Sequence, residues 1–339
     1  MRQLASVEDQ WEAPLEPVPV LVWIPPAPDP LACLPEQRQL RALPDLQRGP
    51  AMARVRLCRG GSAVLFERAV SLDDPTSSYL KRRRSVSVCT RDLATGTVVR
   101  SGHGPPAGFA DYPLADVTAD GSRFALLQTA NGAPAGGAPA APGLLQTQVW
   151  VAGDDGSTAR QLTTIWGSSP FGEGDDHQVQ WAPYGASFAV SLSIWHGPGI
   201  GARSAVVLFD ADTGQETARL EGMSLAGSAS WSPDGTRLVV ETQAGHQIST
   251  VEVASGRLQA VSALPAPRPQ LERPNQPRVL GYADDDQLLV VVRRGRTMTL
   301  HRTDANGEDA GALLRWTGRD EDMYPSICRM PPGYWAGLG

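Results

Sequence analysis

The side chains best suited to chemistry fall in four short segments. These are Asp111-Tyr112, Glu173-Gly174-Asp175-Asp176-His177, Trp195-His196-Gly197-Pro198 and Asp320-Glu321-Asp322-Met323-Tyr324. Carboxylates and a neutral imidazole are donors for a divalent cation. The same groups suit a cationic ligand or an acid–base pair. Tyr112, Asp176 and Tyr324 each precede a turn by the same interval, so they are equivalent positions in a repeat. The ligand-binding candidates are therefore Asp111, Tyr112, Asp175, Asp176, His177, Trp195, His196, Glu321, Asp322 and Tyr324. The ordinary alternative is a set of solvated surface loops.

Three catalytic motifs are missing from the sequence. There is no Gly-x-Ser-x-Gly elbow, no His-Glu-x-x-His and no lysine-bearing phosphate loop. Lys81 is the only lysine and sits among Arg82, Arg83 and Arg84, which reads as a solvated charge run. The catalytic residues are unassigned and the balance leans against an enzyme. Net charge is −6, so the basic footprint of a nucleic-acid binder is missing. Cys33, Cys58, Cys89 and Cys328 form no Cys-x-x-Cys pair. Met1 to Pro14 has no apolar stretch of leader length, and no segment approaches the roughly 18 apolar residues of a membrane span. The expectation is a cytoplasmic protein with neither nucleic acid nor membrane as partner.

The elements that must position these residues come from a repeat. Ser230-Trp231-Ser232-Pro233-Asp234-Gly235 precedes the apolar run Thr236 to Val240. Asp-Gly between apolar runs is a hairpin signal, because glycine accepts positive φ without a Cβ clash. Related units turn at 61, 121, 185, 235 and 285, at intervals of 60, 64, 50 and 50 residues. A second hairpin follows each, at Ala94-Thr95-Gly96, Asp154-Asp155-Gly156, Asp212-Thr213-Gly214, Ala254-Ser255-Gly256 and Ala305-Asn306-Gly307. Two hairpins per period give four strands, which is one propeller blade.

Ser230 to Leu238 resembles the repeat of TolB-like and WD-repeat-like propellers. Gln148 to Val151, Asp155-Gly156-Ser157 and Gln161-Leu162-Thr163 resemble the second half of that repeat. The resemblance implies an all-β fold: a single β-propeller domain over 1–339, with repeat blades over 53–333 and a proline-rich segment at 1–50. About six four-stranded antiparallel blades are expected, with seven as the alternative. TolB itself is exported, and peptidase propellers carry a hydrolase domain. Five blades are visible in full. A sixth begins at Tyr324 to Gly333, and Val18 to Ile24 and Arg38 to Leu43 are placed to complete it. That closure joins both chain ends and removes sheet edges that invite aggregation.

The spacing also shows where the rim is enlarged. First turn to second turn measures 35, 35, 29, 21 and 22 residues along the five repeats. The surplus lies at Ser71–Ser85, Thr129–Gln146 and Ile194–Ser204, on consecutive blades and on one face. The loops leading into the first strands, with the candidate residues, share that face. Clustered insertions often mark a binding face. Two functions follow as expectations. One is a protein-interaction or scaffold module. The other is a small-molecule- or metal-binding propeller acting as a lyase, cyclase or hydrolase at the channel mouth, where a divalent cation is the sole cofactor suggested. The turn segments Asp210 to Gly214 and Asp304 to Asp309 have a calcium-loop flavour but read as hairpin turns.

Overall fold

Apolar runs of five to nine residues bounded by Gly, Pro and Asp become strands. In the computed structural model no helix occurs among the described residues. The structure describes strand backbones from Val18 to Met330. It describes side chains between Asp116 and Thr317, outside 119–121, 128–145, 154–158, 168–177, 195–202, 243–246, 262–276 and a few single positions.

The chain opens with β1 (Val18–Trp23), β2 (Leu31–Cys33) and β3 (Arg41–Ala42). Five sheets follow in sequence order. The first holds β4 (Met52–Cys58), β5 (Ala63–Val70), β6 (Ser85–Asp92) and β7 (Val98–Arg100). The second holds β8 (Ala110–Val117), β9 (Arg123–Asn131), β10 (Leu145–Gly153) and β11 (Arg160–Trp166). In the third, β12 (Ser168–Ser169) and β13 (Gln178–Trp181) both pair with β14 (Ser187–Trp195), followed by β15 (Ala202–Asp210) and β16 (Glu216–Glu221). The fourth holds β17 (Met223–Leu225), β18 (Arg237–Thr242), β19 (Ile248–Glu252) and β20 (Leu258–Ala260). The fifth holds β21 (Arg278–Tyr282), β22 (Gln287–Arg294), β23 (Thr297–Asp304) and β24 (Asp309–Thr317).

The last strand, β25 (Ser326–Met330), pairs antiparallel with β1, Val20 opposite Cys328. This sixth sheet runs β25-β1-β2-β3, so both chain ends meet in it as the repeat predicts. The β25 strand lies near both β4 and β21. The expected strand at 38–43 shrinks to Arg41–Ala42, and β2 is an additional one.

The third sheet is buried on both faces. Phe188, Val190, Leu192 and Ile194 of β14 join a core shared with the second sheet. Ala189 faces the other way, into a core with Leu225, Trp231, Leu238 and Val240 of the fourth. Period-two alternation with both faces apolar explains why such strands read as continuous hydrophobic runs. Burial of Phe188, 0% exposed, contributes about 2 kcal/mol.

Polar groups of the innermost strands join sheet to sheet. The Trp181 backbone N–H donates to Asp116 Oδ2 at 2.7 Å, and its indole N–H to the Asp116 carbonyl at 3.2 Å. One sheet further, the Ser230 N–H donates to Gln180 Oε1 at 2.8 Å and the Trp231 indole to the Gln180 carbonyl at 3.1 Å. Between the fourth and fifth sheets the joint is backbone itself. Ala229 bridges Gly281 in parallel, and the Tyr282 N–H donates to the Ala229 carbonyl at 2.9 Å.

The tight turns add a second set of clasps. The Arg123 guanidinium lies 5.3 Å from the Trp181 ring centre, donates to the Ala211 carbonyl at 3.0 Å and pairs with Asp212. Arg237, at the same repeat position, lies 5.9 Å from the Tyr282 ring centre and pairs with Asp286. Burial pushes the Tyr282 phenol up to about 12 despite the pull of Arg237, so the ring stays neutral.

Candidate functional site

Antiparallel order defines two ends of the molecule. At one end lie the tight turns; at the other the chain enters each sheet and strands two and three of each sheet are connected. Of the candidate residues, the strand backbone places Asp111, Tyr112 and Trp195 at this second, loop end.

Two innermost strands are interrupted there at equivalent positions. In the second sheet Ala110 is opposite Thr129 and Leu114 is opposite Leu127, so three residues on β8 face one on β9. In the third, Ser169 is opposite Ser193 and Gln178 is opposite Ser191. Thr129 and Ser193 each lie eight residues beyond their turn glycines, Gly121 and Gly185. Extra residues inserted in one strand break the ladder and redirect the chain. Asp111 and Tyr112 occupy the first interruption. They stand within β8 and not in the loop before it, as the spacing suggested, because the bulge lets the ladder resume at Ala110.

Residues 170–177 stand in the sequence between Ser169 and Gln178. Asp175, Asp176 and His177 are among them and lie outside the described residues, as do His196, Glu321, Asp322 and Tyr324. Trp195 is the last residue of β14, opposite Ala202, where a loop was expected. Much of the predicted 194–204 insertion is thus longer hairpin: β14 and β15 have nine residues each, against six and five in β18 and β19. The 129–146 surplus does the same, with Asn131 opposite Leu145. The fifth sheet, expected to be plain, also has eight-residue β22 and β23, joined by a short connection with Gly295 at φ 62°.

Sequence reasoning missed Trp166. It ends β11 and is 46% exposed at the loop end. Gly167 at φ 66° then turns the chain directly into β12, and Gly222 at φ 71° makes the same crossing one sheet later. The signal was readable as a large aromatic residue ahead of a glycine at the close of a repeat. Ser168 pairs with Ile194, so Trp166 and Trp195 occupy nearby register positions at the same end.

The tight-turn carboxylates have structural work. Asp210 Oδ1 accepts from the Thr213 hydroxyl and backbone N–H, both at 2.7 Å. Asp304 Oδ1 accepts from the N–H groups of Asn306 and Glu308 at 2.9 and 2.8 Å. These bonds close hairpin turns, as the sequence suggested over a calcium loop. Among the described residues no group of three or more His, Cys, Asp and Glu is placed to hold a metal. The Thr213 hydroxyl holds the Asp210 carboxyl below its ordinary value of 3.8, and the Glu308 N–H does the same for Asp304. Asp234 is pushed up by partial burial but held lower overall by Ser232, Thr236 and Arg237. A carboxyl depressed in the folded state binds its proton first in the unfolded chain. Its stabilisation is present above pH 3.8 and is lost as pH falls through the folded values. Urea midpoints should hold down to the ordinary carboxylate range and drop below it; Asp210→Asn should flatten that drop.

No protein-family model matches this sequence, and no curated protein matches it. Solved structures do. TolB from Acinetobacter baumannii superposes with a TM-score of 0.52 at 12% identity, over 93% of this chain and 66% of that one. A chain of a nidogen/laminin complex superposes at 0.51 and 12% identity, over 92% and 97%. The chain has a β-propeller fold. This propeller spans just under two thirds of the TolB chain. Its antiparallel sheets are consistent with the blades that the repeat predicted.

Proposed function

We propose that this propeller is a protein-interaction module that binds through its loop end, in the cytoplasm. The observation that carries the reading is the paired interruption of the second and third innermost strands at one register position. A blade needs no such interruption for its own ladder. Irregular segments on a rigid scaffold are where binding residues concentrate. Asp111, Tyr112, Trp166 and Trp195 belong to this end, and Asp175, Asp176 and His177 fall in the sequence between Ser169 and Gln178. Trp166 is 46% exposed there, and tryptophan is enriched at interaction hot spots. The tight-turn end is instead committed to clasps between blades.

The test is positional. A photo-crosslinking amino acid is placed at 166, or in a second chain at 184, where Tyr184 is 76% exposed at a tight turn. Both are produced at native level in the source cell. The reading expects a discrete protein adduct from position 166 and none from 184. Equal labelling from both, or adducts from 184 alone, overturns it.

A further inference from the structure

The second turn of the fifth blade carries a reactive dipeptide. Asn306-Gly307 joins an exposed carboxamide to a residue with no Cβ, so the Gly307 amide nitrogen can approach the Asn306 side-chain carbon unhindered. Spontaneous reaction joins that nitrogen to Cγ and breaks the Cγ–Nδ2 bond, and ammonia leaves with the amide proton. Water then opens the cyclic imide to an aspartyl or isoaspartyl residue. No oxidant or reductant is needed.

The fold holds this carboxamide from two sides. Asn306 Nδ2 donates to Asp304 Oδ2 at 3.1 Å. Gln259 Nε2, on the outermost strand of the fourth blade, donates to Asn306 Oδ1 at 2.7 Å. The Gly307 N–H is itself engaged by the Asp304 carbonyl at 2.9 Å. We propose that Asn306 is a spontaneous deamidation site whose rate is set by the Gln259 hydrogen bond from the neighbouring blade. Reaction replaces the Nδ2 donor with an oxygen facing the Asp304 carboxylate, and like charges at that range repel. An isoaspartyl product also lengthens the backbone inside the turn, breaking the bonds from Gly307 and Glu308 to Asp304. The outer contact between the fourth and fifth blades then opens irreversibly.

The experiment incubates the full chain in mildly alkaline buffer, folded or unfolded in urea, and follows Asn306 by peptide mass and isoaspartyl content. Gln259→Ala is the variant, and Asn131-Gly132 in the second blade is the internal reference. Loss of one hydrogen bond of ordinary strength predicts Asn306 reacting about fivefold faster in folded Gln259→Ala than in the folded parent. The Asn131 rate stays equal in the two, and both are slower than the unfolded chain at Asn306. Equal Asn306 rates in parent and variant overturn the proposal, whether both react or neither does. So does acceleration of Asn131 by the same factor, which makes the effect global and not local to this contact.

Discussion

Gly281→Ala is expected to cost this propeller about 4 kcal/mol, from a strained backbone at ~1–3 and overpacking at ~1–3. Gly281 sits at φ 133° on the innermost strand of the fifth blade. A Cβ there would lie 2.1 Å from the Ala229 carbonyl oxygen and 2.8 Å from its Cα. Those atoms are backbone and are held in place. Ser228 and Ala229 donate to the Leu280 carbonyl at 2.9 and 3.1 Å, and Tyr282 donates back to Ala229. The two blades must therefore separate to admit one methyl group. Gly256→Ala is the control, because Gly256 has φ 68° and nothing within 4 Å of an added Cβ. It should lose only about 1 kcal/mol, the cost of the unfavourable φ. Gly227 faces the same joint, its Cβ position 2.3 Å from the Leu280 carbonyl carbon. Gly227→Ala with Gly281→Ala should cost less than the two single losses added, since the first already parts the joint. Urea unfolding followed by tryptophan fluorescence measures the parent and all four variants. Equal losses for Gly281→Ala and Gly256→Ala would show that the joint is soft.

The blades were legible because the repeat encodes local geometry. Gly235 occupies φ 71° at the turn that Pro-Asp-Gly announces, and apolar alternation sets the ladder on either side. Joining the chain ends was legible too, since Ser326 to Met330 repeats a first strand that lacks its partners. The joints between blades were not. Gly281 reads in the sequence as an unremarkable strand glycine, and only the approach of Ala229 from another blade explains it. Arg123 and Arg237 read as turn-flanking charges, yet each covers an aromatic ring roughly 50 residues away in the chain. Of the candidate site, the acidic composition at 173–177 was readable. The break in the ladder between Ser169 and Gln178 was not, because register is a property of the pair of strands. Trp195 looked like loop because nothing in its own residue type says where a hairpin ladder stops.

Trp181→Ala should be the other severe lesion, costing about 3–5 kcal/mol as a buried large-to-small change. Trp181 is 7% exposed and belongs to the core between the second and third blades. Its ring lies 5.2 Å from Phe188, which stacks on Phe209 at 5.5 Å. Removing it leaves a cavity beside the buried Phe188. It also strips the indole donor from the Asp116 carbonyl and the ring face from Arg123. Trp181→Phe separates these effects. It keeps most of the apolar volume and the 181 backbone bond to Asp116 Oδ2, and loses the indole N–H, for about 1–2 kcal/mol. A cycle with Arg123→Ala isolates the ring–guanidinium contact, for which a coupling of about 0.5–1 kcal/mol is expected at this partly exposed site. Arg123→Ala alone should cost more than that coupling, because Arg123 also serves Ala211 and Asp212. A Trp181→Ala chain within about 1 kcal/mol of the parent would mean that the neighbouring blade, and not this ring, carries the joint.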